Sequence, residues 1–137
     1  MAKILLALHG FHSSPASLKI QQMSSYIDQN FPDIRLICPQ LPCFPKQMWA
    51  MIESIFEKHK NDQIALMGSS LGGYLATIAA QKYRVKLLLI NPAVYPYRLL
   101  SHAGQQQHPY TLERYLIDED YLAQLKALEV QYIGTPE

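Results

Sequence analysis

Gly68-Ser69-Ser70-Leu71-Gly72 sets Ser70 midway between two glycines in the pattern G-x-S-x-G. A serine so spaced can serve as the nucleophile of acyl transfer when a sharp strand-to-helix turn presents its hydroxyl. At a helix start, free backbone N–H groups and the helix dipole favour a developing oxyanion. Gly68 and Gly72 are expected to remove side chains that would collide with such a turn, and Gly73 to let the helix approach the sheet. A second group, Leu8-His9-Gly10-Phe11, follows an apolar run. The N–H of Phe11 would pair with that of Leu71 to complete an oxyanion hole. His9 and Gly10 are expected to shape this loop, with His9 hydrogen-bonded to backbone and not acting as the base. Two other readings of the glycine-rich turn stand at this level. A phosphate loop lacks its G-K-[ST] ending and the G-x-G-x-x-G pattern; a plain packing turn needs no chemistry at all.

The elements that must position these residues alternate between strand and helix. Ile4 to Leu8 reads as a strand buried on both faces. Ser14-Pro15 predicts a helix start, with Leu18, Met23, Tyr26, Ile27 and Phe31 on its apolar face and Pro32 beyond its end. Ile34 to Cys38 reads as a second strand, and Pro39 to Pro45 as a loop. Met48, Trp49, Ile52, Ile55 and Phe56 mark a second helix ending near Lys60. Gln63 to Met67 and Lys86 to Ile90 read as strands on either side of the serine motif and a helix over Tyr74 to Lys82. This alternation with short connections predicts a parallel sheet. Asn91 to Thr111 is expected to be irregular, a segment of the kind that often lies over a site. A last helix is expected over Glu119 to Leu128, with a fifth strand beginning at Val130 to Ile133.

Length and composition bound the partners. A chain of 137 residues makes one domain, and 49% hydrophobic residues exclude disorder. Twelve Lys and Arg against eleven Asp and Glu give a net charge of +1, without the basic footprint of a nucleic-acid binder. Ile4 to Leu8 is too short for a signal-peptide core or a membrane span, so the cytoplasm is the expected compartment. Cys38 and Cys43 have no second Cys or His pair at zinc spacing. They read as two thiols in preference to a disulfide, and no metal is expected.

Leu8-His9-Gly10-Phe11-His12-Ser13-Ser14-Pro15, Pro39-Gln40-Leu41-Pro42, Gly68 to Gly73, Asn91-Pro92-Ala93-Val94 and Pro109-Tyr110-Thr111 together resemble the compact bacterial YqiA-like esterases of the α/β-hydrolase superfamily. The resemblance runs from residue 3 to at least Thr111. It implies an α/β three-layer domain with a mostly parallel sheet of four or five strands and helices on both faces. It further implies Ser70 as nucleophile, Phe11 and Leu71 as oxyanion donors, a small acyl ester or thioester as substrate, and no cofactor. The family's acid follows a Thr-Gly-Asp-type turn and its base sits in a Gly-x-His turn; neither pattern occurs in these residues. His102 and His108 follow Ser70 but precede Asp118 and Asp120, the reverse of the fold's order of acid then histidine. They belong to a cap-like segment, 91–117. His12 lies near the oxyanion loop and His59 at a helix end, with no stronger claim.

Residues 1–137 are therefore expected to form a single hydrolase-like domain, the first two-thirds of such an enzyme, without the acid and base of the triad. The expected function is a serine esterase or thioesterase working through an acyl-enzyme. The alternative is a catalytically incomplete domain that at most binds an acyl ligand, and acyl transfer to an alcohol or thiol would use the same residues. A sheet lacking its last strands would expose an apolar edge, which predicts a homodimer.

Overall fold

The apolar run near the N-terminus becomes the strand β1 (Lys3–Leu8), which is bonded on both sides by parallel neighbours. In this computed structural model, which describes residues 1–93 and 95–132, the elements that follow are α1 (Leu18–Asn30), β2 (Ile34–Ile37), α2 (Pro45–Lys58), β3 (Gln63–Ser70), α3 (Leu71–Tyr83) and β4 (Lys86–Pro92). The chain continues through α4 (Pro96–Leu99), β5 (Gly104–Gln107), β6 (Arg114–Ile117) and α5 (Glu119–Tyr132). Among the described residues the main sheet has four parallel strands in the order β2-β1-β3-β4. It is the mostly parallel sheet with helices that the alternation predicts.

Strand order fixes the layers. The chain steps from β1 to β2 in one direction, then returns past β1 to β3 and continues to β4. Crossovers between parallel strands are right-handed, so a reversal of direction puts α1 on one face and α2 and α3 on the other. Side-chain parity agrees. Ile4, Leu6 and Leu8 join Met48, Trp49, Ile52, Phe56, Leu75 and Ile78 in the main core, while Ala7, Met67 and Ile27 are buried outside it. α5 packs over α2, α3 and α4. Two buried hydroxyls tie it down: Tyr121 donates to the Cys43 carbonyl (2.7 Å) and Leu125 offers its carbonyl to Tyr74 (2.5 Å).

Several expectations are corrected. α1 begins at Leu18 and not at Pro15: Ser17 is its N-cap, accepting from the Ile20 N–H, while the buried Ser14 accepts from Ala16 in the preceding turn. Leu18, Tyr26 and Phe31 are exposed, so the packed face of α1 is narrower than its apolar spacing suggests. The segment from Asn91 is not irregular throughout. It forms the end of β4, the short α4 and an antiparallel hairpin of β5 and β6. No fifth strand forms at Val130, because α5 runs on to Tyr132; Ile133 lies outside the described residues.

Among the described residues β4 is an edge strand. Its one strand neighbour there is β3, and Leu88 and Ile90 stay 58% and 47% exposed on the α1 side, beyond the reach of that single helix. Among the described residues no helix is long and apolar enough to cross a membrane.

Candidate active site

β1 and β3 are adjacent, and the connections leaving their carboxyl ends run to opposite faces of the sheet. Ligands of open α/β sheets bind in the crevice at such a switch point. Phe11 follows β1 and Ser70 ends β3, so the topology brings both candidate groups to this crevice.

Ser70 stands between β3 and α3 with φ 55° and ψ −122°, a strained conformation for a residue with a side chain. It occupies the N-cap position, yet its hydroxyl makes no cap hydrogen bond. The residue is exposed, leaving the oxygen free to meet a ligand. Leu71 is the first residue of α3, where a backbone N–H has no intrahelical acceptor. A bulge beside Ser70 pairs it with Pro92 and skips Asn91, whose φ of 45° suits asparagine better than most residues. The Ala93 N–H then bonds the Ser70 carbonyl at 2.8 Å and pins the turn to β4.

The glycines act on different atoms from those expected. A Cβ on Gly68 would lie 2.4 Å from the Gly72 carbonyl oxygen, and one on Gly72 would lie 2.1 Å from that of Leu8. The clashes avoided are therefore backbone against backbone, between the elbow's own turns and against β1, and not with the serine. Gly73 sits against Pro92, where a Cβ would approach to 2.8 Å, and so allows α3 to pack close to β4. Gly10 faces the serine itself: its missing Cβ would be 3.1 Å from Ser70 Cβ and 3.7 Å from Oγ.

The turn carrying Phe11 is closed by a bond from the Ser13 N–H to the Gly10 carbonyl (3.1 Å). His12 has φ 57°, as the third residue of a type II turn requires, and the Phe11 N–H takes no part in the closing bond. His9 braces this turn from below. Its Nδ1 donates to the Gly10 carbonyl (2.9 Å), and its Nε2 accepts from the Leu41 N–H (2.9 Å). That pattern needs the neutral ring, and burial pushes its pKa down. Gln40 adds a bond to the Ser13 carbonyl (3.2 Å). Tyr115, buried on β6, bonds His12 Nε2 at 2.5 Å, while the His12 ring stacks on Phe11 at 3.9 Å. Burial also lowers the His12 pKa, with proximity to His108 second. Sequence reasoning missed Tyr115. Its only signal was the alternation in Arg114-Tyr115-Leu116-Ile117, of which Tyr115 and Ile117 are buried.

Among the described residues no imidazole is hydrogen-bonded to Ser70. Both nitrogens of His9 are committed and His12 is bonded to Tyr115. His59 pairs with Asp62 (3.0 Å), at the opposite end of β3 from Ser70, and His102 is exposed between α4 and β5. His108 Nδ1 accepts from the Tyr110 and Thr111 N–H groups (3.1 and 3.2 Å), so its neutral ring carries the proton on Nε2 and has no lone pair to offer. Cys38 and Cys43 are free thiols, both pushed up to about 11 by burial.

This mostly parallel sheet with helices, with a strained serine between β3 and α3, has the α/β-hydrolase fold. Solved structures share it at low sequence identity. Mouse alpha/beta hydrolase domain-containing protein 10 is 17% identical with a TM-score of 0.64 over 91% of this chain and 61% of its own length. Est1E from Butyrivibrio proteoclasticus is 13% identical with a TM-score of 0.67, over 96% of this chain and 63% of its own. One of two metagenome-derived lipolytic enzymes, LipS and LipT, is 21% identical with a TM-score of 0.53, over 67% and 43%. The chain thus spans less than two-thirds of the length of each. Within that fold the chain belongs to UPF0227, an uncharacterised protein family whose profile matches residues 4–137.

Proposed function

We propose that this chain carries the nucleophile and oxyanion half of a serine-dependent hydrolase of carboxylic esters or acyl thioesters. What carries the reading is Ser70, strained and exposed at the switch point with its hydroxyl unspent on capping and Gly10 packed against it. Ser70 Oγ attacks the acyl carbonyl, and the Phe11 and Leu71 N–H groups hold the oxyanion. The intermediate collapses to an acyl-serine and expels the alcohol or thiol; water then releases the acid. His9 and Gly10 hold the Phe11 turn, and Gly68 and Gly72 hold the elbow. The lipolytic character of one structural relative supports the ester class.

The attack requires that Oγ lose its proton, and among the described residues no imidazole is hydrogen-bonded to Ser70. These 137 residues alone are therefore nearly inactive: losing a triad member typically costs about 10⁴- to 10⁶-fold in turnover. The same observation favours a second reading, a domain that binds an acyl ligand without turning it over. Hydrolysis of 4-nitrophenyl acetate by this chain and by Ser70→Ala separates the two. A small rate above background that vanishes in the variant supports the proposal. Equal rates in both proteins reject Ser70 as nucleophile, and rapid Ser70-dependent turnover would reveal a base and overturn the account of the histidines. An added alcohol that captures the acyl group would identify a transferase.

A further inference from the structure

The hairpin of β5 and β6 sends one buried tyrosine to the turn that follows β1. Tyr115 is 6% exposed, and its ring packs against those of Phe44 (5.9 Å) and Tyr121 (6.0 Å). Tyr121 is itself anchored to the Cys43 carbonyl, so the Tyr115 ring sits in a fixed frame. Its hydroxyl reaches His12 Nε2 at 2.5 Å, across 103 residues of sequence. Burial pushes the Tyr115 pKa up and the His12 pKa down, so a protonated phenol donates to a neutral ring. The other buried tyrosine hydroxyls, Tyr74 and Tyr121, donate to backbone carbonyls. Tyr115 donates to the side chain of a strained turn.

His12 needs such a hold. As third residue of the turn from Gly10 to Ser13 it has φ 57°, a conformation that persists in a residue with a side chain only where its surroundings enforce it. Two contacts fasten it: the stack on Phe11, with ring planes 19° apart at 3.9 Å, and the bond from Tyr115. The alternative for the turn is the type I form, in which the peptide between Phe11 and His12 flips and φ of His12 becomes negative. That flip turns the backbone on the carboxyl side of Phe11, the residue whose N–H is the donor assigned after β1.

We propose that Tyr115 is a positioning residue for the reaction: through His12 it holds the turn in its left-handed form and so sets the Phe11 N–H for the oxyanion. This rests on the assignment of Ser70 and of the Phe11 and Leu71 donors. The oxyanion forms only in the transition state, so a loosened donor lowers kcat and leaves KM in place. Removing such a donor outright costs about 10²- to 10³-fold in kcat, and loosening one through its turn should cost about tenfold.

Tyr115→Phe deletes the hydroxyl and keeps the ring. Hydrolysis of 4-nitrophenyl acetate is measured over a range of ester concentrations, with Ser70→Ala as the blank, and the Phe11 amide is followed by ¹⁵N NMR. The expected result is kcat about tenfold lower at unchanged KM, with a shifted Phe11 amide. His12→Gly supplies the second arm, because glycine takes the left-handed φ without strain and offers Tyr115 no ring. In that background Tyr115→Phe should cost no further rate. A third arm leaves Tyr115 in place and so holds even if Tyr115→Phe fails to fold. His12→Gln keeps an acceptor at the reach of Nε2 and should retain more of kcat than His12→Leu, which keeps none. A Tyr115→Phe protein with the kcat and Phe11 amide of the parent overturns the positioning role while the Ser70 reading stands. So does a loss confined to KM, a loss equal with and without the His12 ring, or equal kcat in the glutamine and leucine variants. Equal hydrolysis by the parent and Ser70→Ala overturns the nucleophile and the positioning role together.

Discussion

Gly72→Ala tests the elbow by adding one methyl group. The new carbon would sit 2.1 Å from the Leu8 carbonyl oxygen and 2.5 Å from that of His9. Ordinary carbon–oxygen contact begins near about 3.3 Å, so α3 must retreat from β1 by roughly 1 Å. The obstacles are backbone atoms of the central strand, which cannot rotate away as a side chain would. Overpacking costs about 1–3 kcal/mol and occasionally more, whereas alanine gains about 1 kcal/mol over glycine within a helix. The strain falls at the upper end and outweighs the propensity, leaving a net loss of about 2 kcal/mol. With a slope of about 1.5 kcal/mol/M, the urea midpoint falls by about 1 M or slightly more. The same retreat draws the Leu71 N–H away from Phe11, and a misplacement of about 1 Å can cost on the order of 10²-fold in rate. Gly104→Ala is the control: Gly104 has φ 64° but nothing within 4 Å of the added carbon, so it carries only the left-handed backbone cost of about 1–2 kcal/mol and no loss at Ser70. A Gly72→Ala protein as stable as the parent, with unchanged Ser70 reactivity, would refute the account of α3 wedged against β1.

Acid should destabilise the fold through His9 and His12, whose pKa values burial holds below the ordinary 6.5. Below that pH the unfolded chain binds protons before the folded one, so stability is complete above about 6.5 and falls as the pH drops toward 5. Thermal melts at pH 7.5 and 5 measure this, and a flat profile would contradict the neutral buried rings; His9→Leu should cost about 1–3 kcal/mol already at pH 7.5, because the Leu41 N–H loses its buried acceptor. At the sheet edge, the chain is expected to self-associate through β4, and Leu88→Lys with Ile90→Lys should shift its light-scattering mass to the monomer. A parent that is already monomeric would refute that edge pairing.

The elements that carry the site were legible because their signals are local. Ile4 to Leu8 and Gln63 to Met67 are apolar runs stopped by glycine, and the serine motif marks the turn between strand and helix. α1 was misplaced because Ser14-Pro15 satisfies the same start rule as Ser17, and only the contacts of the buried Ser14 decide between them. The β5–β6 hairpin escaped notice because Gly104-Gln105-Gln106-Gln107 has no apolar face; pairing with β6 makes it a strand. Val130 suggested a strand by its β-branch, but α5 was already running and carried on through it. In the sequence His108 falls in the cap-like segment 91–117 and follows Ser70 as a histidine base would. The orientation of its ring depends on the N–H groups of residues 110 and 111, and no spacing reveals that.

The register of the central pair has a consequence for synthesis. Lys3 pairs with Gln63 and Leu8 with Gly68, so the two halves of the candidate site lie about sixty residues apart along the chain. At roughly 5–20 residues per second, the Phe11 turn leaves the ribosome some 3–12 s before the serine it must face. β2 arrives first and can take one side of β1, but the other side keeps its N–H and C=O groups unpaired until β3 appears. Newly made chains are therefore most exposed to mispairing during this interval, at the strand that later frames the candidate site.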